Sequence, residues 1–304
     1  MVPLAKLRDG APVLFGISRS GKLHWKPYIL LLPILFFALG FVYYPFFRTF
    51  VYSFSRVNFN GGITGFAGLN NFRRLFRDAA FAGALKNTLR LAFTTTPLNL
   101  FCSLGLALLA VKKRKTGILY ETMFMMPMAL SMPAASQIFK LLLEPSMGVL
   151  NYFLGLQIGW FGDPKTAMYG IVMVCLWIGI PFDFLLFLAA LRNIPAPFIE
   201  AAALDGAGYF RRFLRIQIPL IAPTILYVVC TNLVLAMMTS TPVMIITGGQ
   251  PGRSTETLIF MMYTSGYQSS NYSLASCISI VTFALTFGMV LLAMFFERRG
   301  IHYE

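Results

Sequence analysis

The chain has 304 residues, of which 57% are hydrophobic and only 12% charged, with a formal net charge of +14. Soluble domains carry roughly 25% charged residues, so composition excludes a water-soluble globular protein. The basic excess does not imply a nucleic-acid partner either, because Lys and Arg fall in short clusters between long apolar runs, the pattern that orients membrane proteins.

A helix that crosses a bilayer needs about 20 largely apolar residues. Six segments qualify, roughly 28–54, 87–111, 118–143, 166–191, 220–247 and 272–296. The sequence therefore predicts an all-α membrane protein set in the lipid bilayer. Its parts are a basic N-terminal tail at 1–27, a six-helix domain at 28–296 and a short C-terminal tail at 297–304. The first span is too long for a signal-peptide core and lacks a small-residue cleavage site, so it reads as a retained signal-anchor. Prolines inside the segments (Pro33, Pro45, Pro97, Pro127, Pro133, Pro181, Pro223, Pro242) predict kinked helices around a cavity.

With the N-terminus inside, the connections on the inner side hold the basic clusters at 112–115 and 211–215 and outnumber the outer ones in Lys and Arg. Both termini are therefore expected in the cytoplasm. The first outer loop is an exception. Its stretch GLNNFRRLFRDAAF carries Leu69, Phe72, Leu75 and Phe76 at helical spacing with Arg73, Arg74 and Arg77 between them, which predicts a short amphipathic helix on the outer interface.

Charges within spans are costly and usually functional. Arg90, Glu121 and Lys140 lie near segment ends, from which a long side chain can snorkel to the interface. Asp183 is too short to snorkel from the middle of WIGIPFDFLLFLAAL. It should either face a wet cavity, hydrogen-bonding a solute, or pair with another polar residue.

Other motifs carry less. Residues 16–23, GISRSGKL, nearly spell a phosphate-binding loop, but Leu23 follows Lys22 where Ser or Thr would hold magnesium, and no strand precedes it. GGQPGRST at 248–255 reads as a tight turn in an outer loop. Cys102, Cys175, Cys230 and Cys277 lie inside apolar runs without a CxxC pair, and His24 and His302 lie in the tails, so neither disulfides nor a metal site are expected.

The loop between the fourth and fifth spans, 194–219, reads NIPAPFIEAAALDGAGYFRRFLRIQIP from Asn193. Pro195 and Pro197 open a short helix, strong helix formers continue it, and Gly206 and Gly208 allow a sharp turn. A second amphipathic helix follows, with Phe210, Phe213 and Leu214 on one face, and Pro219 closes it into the next span. A helix–turn–helix of small alanines and one carboxylate suits docking into a groove on a partner.

Glu200, Ala201 and Ala202, then Gly206 after three residues, then Ile216, Ile218 and Pro219 after nine more, give the spaced pattern EAA…G…I-x-L-P with Ile in place of Leu. This resembles the permease subunits of bacterial ABC importers, and IPxxxxEAAALDGAG is similar to their carbohydrate-uptake branch of maltose-type and glycerol-3-phosphate-type permeases. GLNNFRRLF, ITGGQPGRSTETLIFMMYTSGY and YSLASCISIV agree, so the resemblance covers about residues 27–300.

The resemblance implies a subunit of the bacterial inner membrane. Its partners would be a second, similar permease (as a heterodimer), two ATPase subunits and an extracytoplasmic solute-binding protein. ATP and magnesium would sit on the partner ATPase, with no cofactor and no catalytic site in this chain. The loop resembles the coupling helix, with Glu200, Ala201, Ala202, Ala203, Asp205, Gly206, Phe210 and Pro219 as its surface. By analogy with maltose-type permeases, the solute pathway would run near Ile178, Gly179, Phe182 and Asp183, and near Met238, Thr239 and Ser240, with Asn99 and Gln137 as further polar candidates.

The expected solute is a sugar or oligosaccharide, with glycerol-3-phosphate or a related phosphodiester as the alternative. An ion-coupled secondary transporter using Asp183 and Glu121 as a proton relay leaves the EAA loop without a role. An intramembrane enzyme lacks a nucleophile–base or metal constellation.

Overall fold

The computed structural model describes residues 26–112, 117–155 and 157–300. The phosphate-loop-like stretch, both histidines and most of the two tails lie outside the described residues. Contacts divide the chain into two compact units, Met1–Val51 and Tyr52–Glu304.

In the first unit, helix α1 (Lys26–Ala38) passes through a π turn at Leu39–Tyr43 into α2 (Tyr44–Ser53). Pro33 sits inside α1 without breaking it.

The second unit opens with a feature that the sequence reading missed. A two-stranded antiparallel ribbon, β1 (Ser55–Val57) and β2 (Ile63–Phe66), pairs Ser55 with Phe66 and Arg56 with Gly65. Helix α3 (Asn70–Arg77) follows, and the Asn71 amide donates to the carbonyls of Ser53 and Ser55. The expected amphipathic helix is thus present, but it is docked on the protein. Leu75 is fully buried with Phe81, Leu258 and Cys277, whereas Leu69 and Phe76 stay exposed.

The bundle is built on α4 (Ala79–Ala110), α8 (Ala167–Arg192), α11 (Ile218–Met237) and α13 (Tyr272–Gly300), with the short helices α7 (Val149–Leu154) before α8 and α12 (Leu258–Tyr263) before α13. Helices α4, α8 and α11 pack mutually, and α13 packs on α11. Lipid is as apolar as Leu, so close van der Waals fit rather than the hydrophobic effect holds such helices together. Small residues supply the fit: Ala92, Ala107, Ala110 and Ala236 are buried in the contacts. Gly170 admits the Phe161 ring, which a Cβ there would meet at 2.3 Å.

Among the described residues, five helices are long and apolar enough to cross a membrane: Tyr28–Ser53, Ala79–Ala110, Ala167–Arg192, Tyr209–Met237 and Tyr272–Phe295. The third expected span, 118–143, is not one helix. It consists of α5 (Gly117–Met125), a 3₁₀ turn at Met126–Ala129, extended Leu130 and α6 (Met132–Leu142). Pro127 and Pro133 explain the break, since each removes a backbone donor and Pro133 lies in the first turn of a new helix capped by Ser131.

The fifth expected span, 220–247, also ends early. Helix α11 stops at Met237, and Pro242 precedes a π turn at Val243–Thr247. At Pro97, Pro181 and Pro223 the helices run on.

Candidate functional site

Two features carry the expected site residues: a loop at one end of the bundle and a cavity between its helices.

The loop contains α9 (Ala196–Leu204) and α10 (Tyr209–Arg212). Pro195 caps α9 and Pro197 lies in its first turn. The helix ends in a Schellman motif: Gly206 N–H bonds to Ala203 O at 3.1 Å and Ala207 N–H to Ala202 O at 2.9 Å. Gly206 has φ +75°, so the turn requires a residue without Cβ strain.

Glu200, Ala201, Ala203, Asp205, Phe210 and Pro219 are exposed, and Ala202 is half-exposed. Among the described residues, no ion pair engages Glu200. Phe198, Leu204 and Phe210 add large apolar exposure to the same loop.

One expectation is corrected here. Pro219 does not close a separate second helix. Helix α10 runs through a π turn at Phe213–Gln217 directly into α11. In that turn Ile218 N–H reaches back to Phe213 O. The wider turn accommodates the missing donor of Pro219, so the helical path stays continuous.

The cavity, 360 Å³, lies between α4, α8 and α11. Ile178, Gly179, Met238, Thr239 and Ser240 line it, together with Thr95, Asn99 and Asn232. Gln137, Phe182 and Asp183 do not line it.

Asp183 is 3% exposed and lies one helical turn beyond Gly179. Its Oδ2 accepts from Asn99 Nδ2 at 2.7 Å and Asn232 Nδ2 at 2.6 Å. The two possibilities open for Asp183 thus resolve to pairing: its carboxylate holds the amides that form the cavity floor. Asn99 Nδ2 also donates to Asn232 Oδ1 at 2.8 Å, and Asn232 Nδ2 to Val228 O at 2.9 Å. Only amide nitrogens can face the carboxylate, which fixes both orientations. Gly179 makes room for this layer, since a Cβ there would meet Asn99 Nδ2 at 2.8 Å.

Two of the cavity's hydroxyls donate to their own helices. Thr95 and Thr239 hydroxyls donate to the carbonyls of Leu91 and Leu235, each at 2.8 Å. Asn99 Oδ1 is buried and has no hydrogen-bond partner among the described residues. The Ser240 and Thr241 hydroxyls also line the cavity, so its walls present hydroxyl donors as well as acceptors, and among the described residues none of the lining side chains is Lys or Arg. Sequence reasoning missed Thr95 and Asn232. An Asn within the apolar run LYVVCTNLVLAMM was a readable signal, because an unpaired amide in a span is costly.

The three charges expected to snorkel all have protein partners. Arg90 lies over the Tyr169 ring, 4.8 Å from its centroid. Lys140 Nζ donates to Ile245 O at 3.4 Å. Glu121 pairs with Arg192 at 2.5 Å. Helix breaks and helix ends near each charge offer partners that apolar periodicity does not reveal.

The 248–255 turn is as expected, with Gly248, Gly249 and Gly252 at positive φ. Arg253 pairs with Glu256, whose hydrogen bond holds the guanidinium more firmly protonated. The Asn87 amide ties this turn to α4 through the carbonyls of Arg253 and Glu256. A larger groove, 910 Å³, is lined by residues between Pro145 and Gln157. Among the described residues its lining comes from that segment alone.

Comparison with known proteins supplies the context. Residues 100–299 match the family described as binding-protein-dependent transport system inner membrane component. The sn-glycerol-3-phosphate transport system permease protein of Pectobacterium atrosepticum is 32% identical over 285 residues, covering 92% of this chain and 96% of that protein. Its counterpart in Yersinia enterocolitica is 32% identical over 292 residues, covering 94% and 99%.

Among solved structures, a bacterial ABC transporter involved in the import of the acidic polysaccharide alginate matches with TM-score 0.79 at 24% identity, over 90% of this chain and 96% of that one. The alginate ABC transporter in complex with an alginate pentasaccharide-bound periplasmic protein matches with TM-score 0.78 at 25% identity, over 90% and 94%.

Proposed function

The chain belongs to the family of binding-protein-dependent transport system inner membrane components, and we propose that it forms half of the translocation pathway for a sugar or oligosaccharide. As a multi-pass permease of an ABC importer it works with other subunits. A second, homologous permease would complete the cavity, two ATPase subunits would bind and hydrolyse ATP, and an extracytoplasmic binding protein would deliver the solute. The α9–α10 loop would be cytoplasmic, as would both termini, with Glu200, Asp205 and the exposed apolar residues seated in a groove of one ATPase.

Closure of the ATPase pair would draw the two docking loops together. The bundle would then favour the form whose cavity opens to the binding protein, and release of the nucleotide products would favour the other. The chain contributes no bond-breaking chemistry; it contributes two arrangements whose populations ATP shifts.

The observation that carries the solute class is the polarity of the cavity. A lining of hydroxyl and amide groups over a floor carboxylate suits a neutral, hydroxyl-bearing solute. A phosphate needs donors or cations, and the lining of this half offers neither Lys nor Arg. The second reading, glycerol-3-phosphate, is favoured by the named relatives at 32% identity. In that case the partner permease would have to supply the basic groups.

The test is uptake by the complete importer in proteoliposomes, with its own binding protein and a panel of neutral oligosaccharides alongside glycerol-3-phosphate. Saturable, ATP-dependent uptake of a neutral saccharide, with glycerol-3-phosphate neither transported nor competing, is the expected result. Uptake of glycerol-3-phosphate alone would overturn the sugar reading.

A further inference from the structure

Arg192, the last residue of α8, stands three positions before Pro195, where the α9 helix is capped. Its guanidinium takes Glu121 of α5 in a bidentate grip, Nη2 to Oε1 at 2.5 Å and Nη1 to Oε2 at 3.1 Å. It also donates from Nη2 to Ala110 O at 3.0 Å and from Nε to Val111 O at 3.5 Å. The last carbonyls of a helix have no partner within it. One planar fork thus joins the ends of α4 and α8 to the middle of α5 beside the loop, a geometry that a Lys point charge cannot reproduce.

A second contact lies one turn further along α5, where Phe124 meets Phe184 of α8 edge-on at 5.5 Å. Glu121 and Phe124, three residues apart, fall on one face of α5, so both fasten it to α8. Beyond Met125, α6 keeps one contact with α8, Phe139 on Trp177 at 5.6 Å, and gains others that α5 lacks: Met132 lines the cavity and Lys140 reaches Ile245 O. Between the two half-helices lies the non-α-helical stretch 126–131.

We propose that the Glu121–Arg192 pair is a positioning contact that makes α5 move with the α9–α10 loop, so that displacement of the loop reaches the cavity wall at Met132 through the joint at 126–131. This rests on the loop being the ATPase docking site. Loop and α5 form one lever, and α6 with the cavity wall forms the part it works upon. Loss of the pair lets α5 lag behind the loop, and ATP is then spent with less solute moved.

The test uses the complete importer in proteoliposomes and reads solute taken up per ATP hydrolysed, at matched amounts of assembled complex. Glu121→Gln should leave ATP hydrolysis within about twofold and lower uptake per ATP about tenfold. Arg192→Lys should do likewise, and the exchange Glu121→Arg with Arg192→Glu should recover part of the loss. A role confined to folding lowers uptake and hydrolysis together and leaves their ratio fixed, which would overturn the proposal.

Glu200→Lys in parallel separates the two readings. If it uncouples while Glu121→Gln does not, only the lever fails; if neither uncouples, the docking site fails as well. Should Glu121→Gln not assemble, labels on the otherwise unaltered complex decide. Leu204, Ile118 and Leu141 are exposed on α9, α5 and α6. The 118–204 distance should stay constant through the ATP cycle while 118–141 changes, and the reverse pattern would overturn the proposal.

Discussion

The cavity floor and the docking loop are both polar features in an apolar chain, and they handle their polar groups in opposite ways. At the floor, Asp183, Asn99 and Asn232 spend every amide donor on one another or on the backbone, and Asp183 is 3% exposed. On the loop, Glu200 and Asp205 are exposed, and apolar residues as large as Phe198, Leu204 and Phe210 stand beside them. Burying amide donors without acceptors is costly, so this chain meets all of these donors itself, leaving only the buried Asn99 Oδ1 without a partner among the described residues. An exposed loop with apolar anchors is, under the proposed docking, completed by another chain. Defects at the floor should therefore appear in the isolated subunit, and defects on the loop only in the assembled importer.

The largest effect that would sharpen this contrast is expected from Glu200→Lys. If Glu200 meets basic groups in a desolvated groove, as the proposed docking requires, reversing its charge costs roughly 2–5 kcal/mol, so ATP-driven uptake should fall about 100-fold. The purified subunit should unfold at an unchanged temperature. A lower unfolding temperature would mean that the loop supports the bundle itself, and the contrast would break.

Asp183→Leu should do the opposite, destabilising the subunit before any partner is added. It leaves two amide donors without their acceptor, which costs about 2–3 kcal/mol once the smaller values seen within membranes are allowed for. Asp183→Asn keeps the shape and one acceptor, and should cost about half as much. Gly179→Ala should resemble Asp183→Asn, because its Cβ would press on the Asn99 amide from 2.8 Å. Thermal unfolding in detergent reads all three. Equal stability of the Leu and Asn variants would show that the carboxylate does not organise the floor.

The legibility of these regions in the sequence differs for a physical reason. The loop could be read almost residue by residue, because its structure is local: prolines at a first turn, alanines in a short helix and a glycine at a Schellman position all act within a few residues. The floor could be read only as a neighbourhood. Asn99, Asp183 and Asn232 meet across three helices, and periodicity does not report which faces touch.

The spans followed apolar length except where proline fell between two possible helices. At Pro127 and Pro133 the chain restarted behind the Ser131 cap, while at Pro181 it ran on. The sequence around these prolines is equally apolar, so neighbouring helices decide whether a lost hydrogen bond becomes a break. The partners of Glu121, Arg90 and Lys140 are likewise set by tertiary contacts.

The smallest expected effect tests whether the 248–257 turn belongs with the floor or with the loop. Arg253 adopts φ 62°, an uncommon conformation for a residue with a Cβ, and pairs with Glu256 while the Asn87 amide binds its carbonyl. Glu256 is buried, but Arg253 is half-exposed, so screening limits the ion pair to about 1 kcal/mol or less. Arg253→Ala loses that pair and keeps the strained backbone. Arg253→Gly loses the pair but relieves a strain of about 1 kcal/mol. The glycine variant should therefore unfold close to the parent and above the alanine variant. If both fall equally, the ion pair, not the backbone bond to Asn87, holds the turn, and salt should then lower the parent's stability toward theirs.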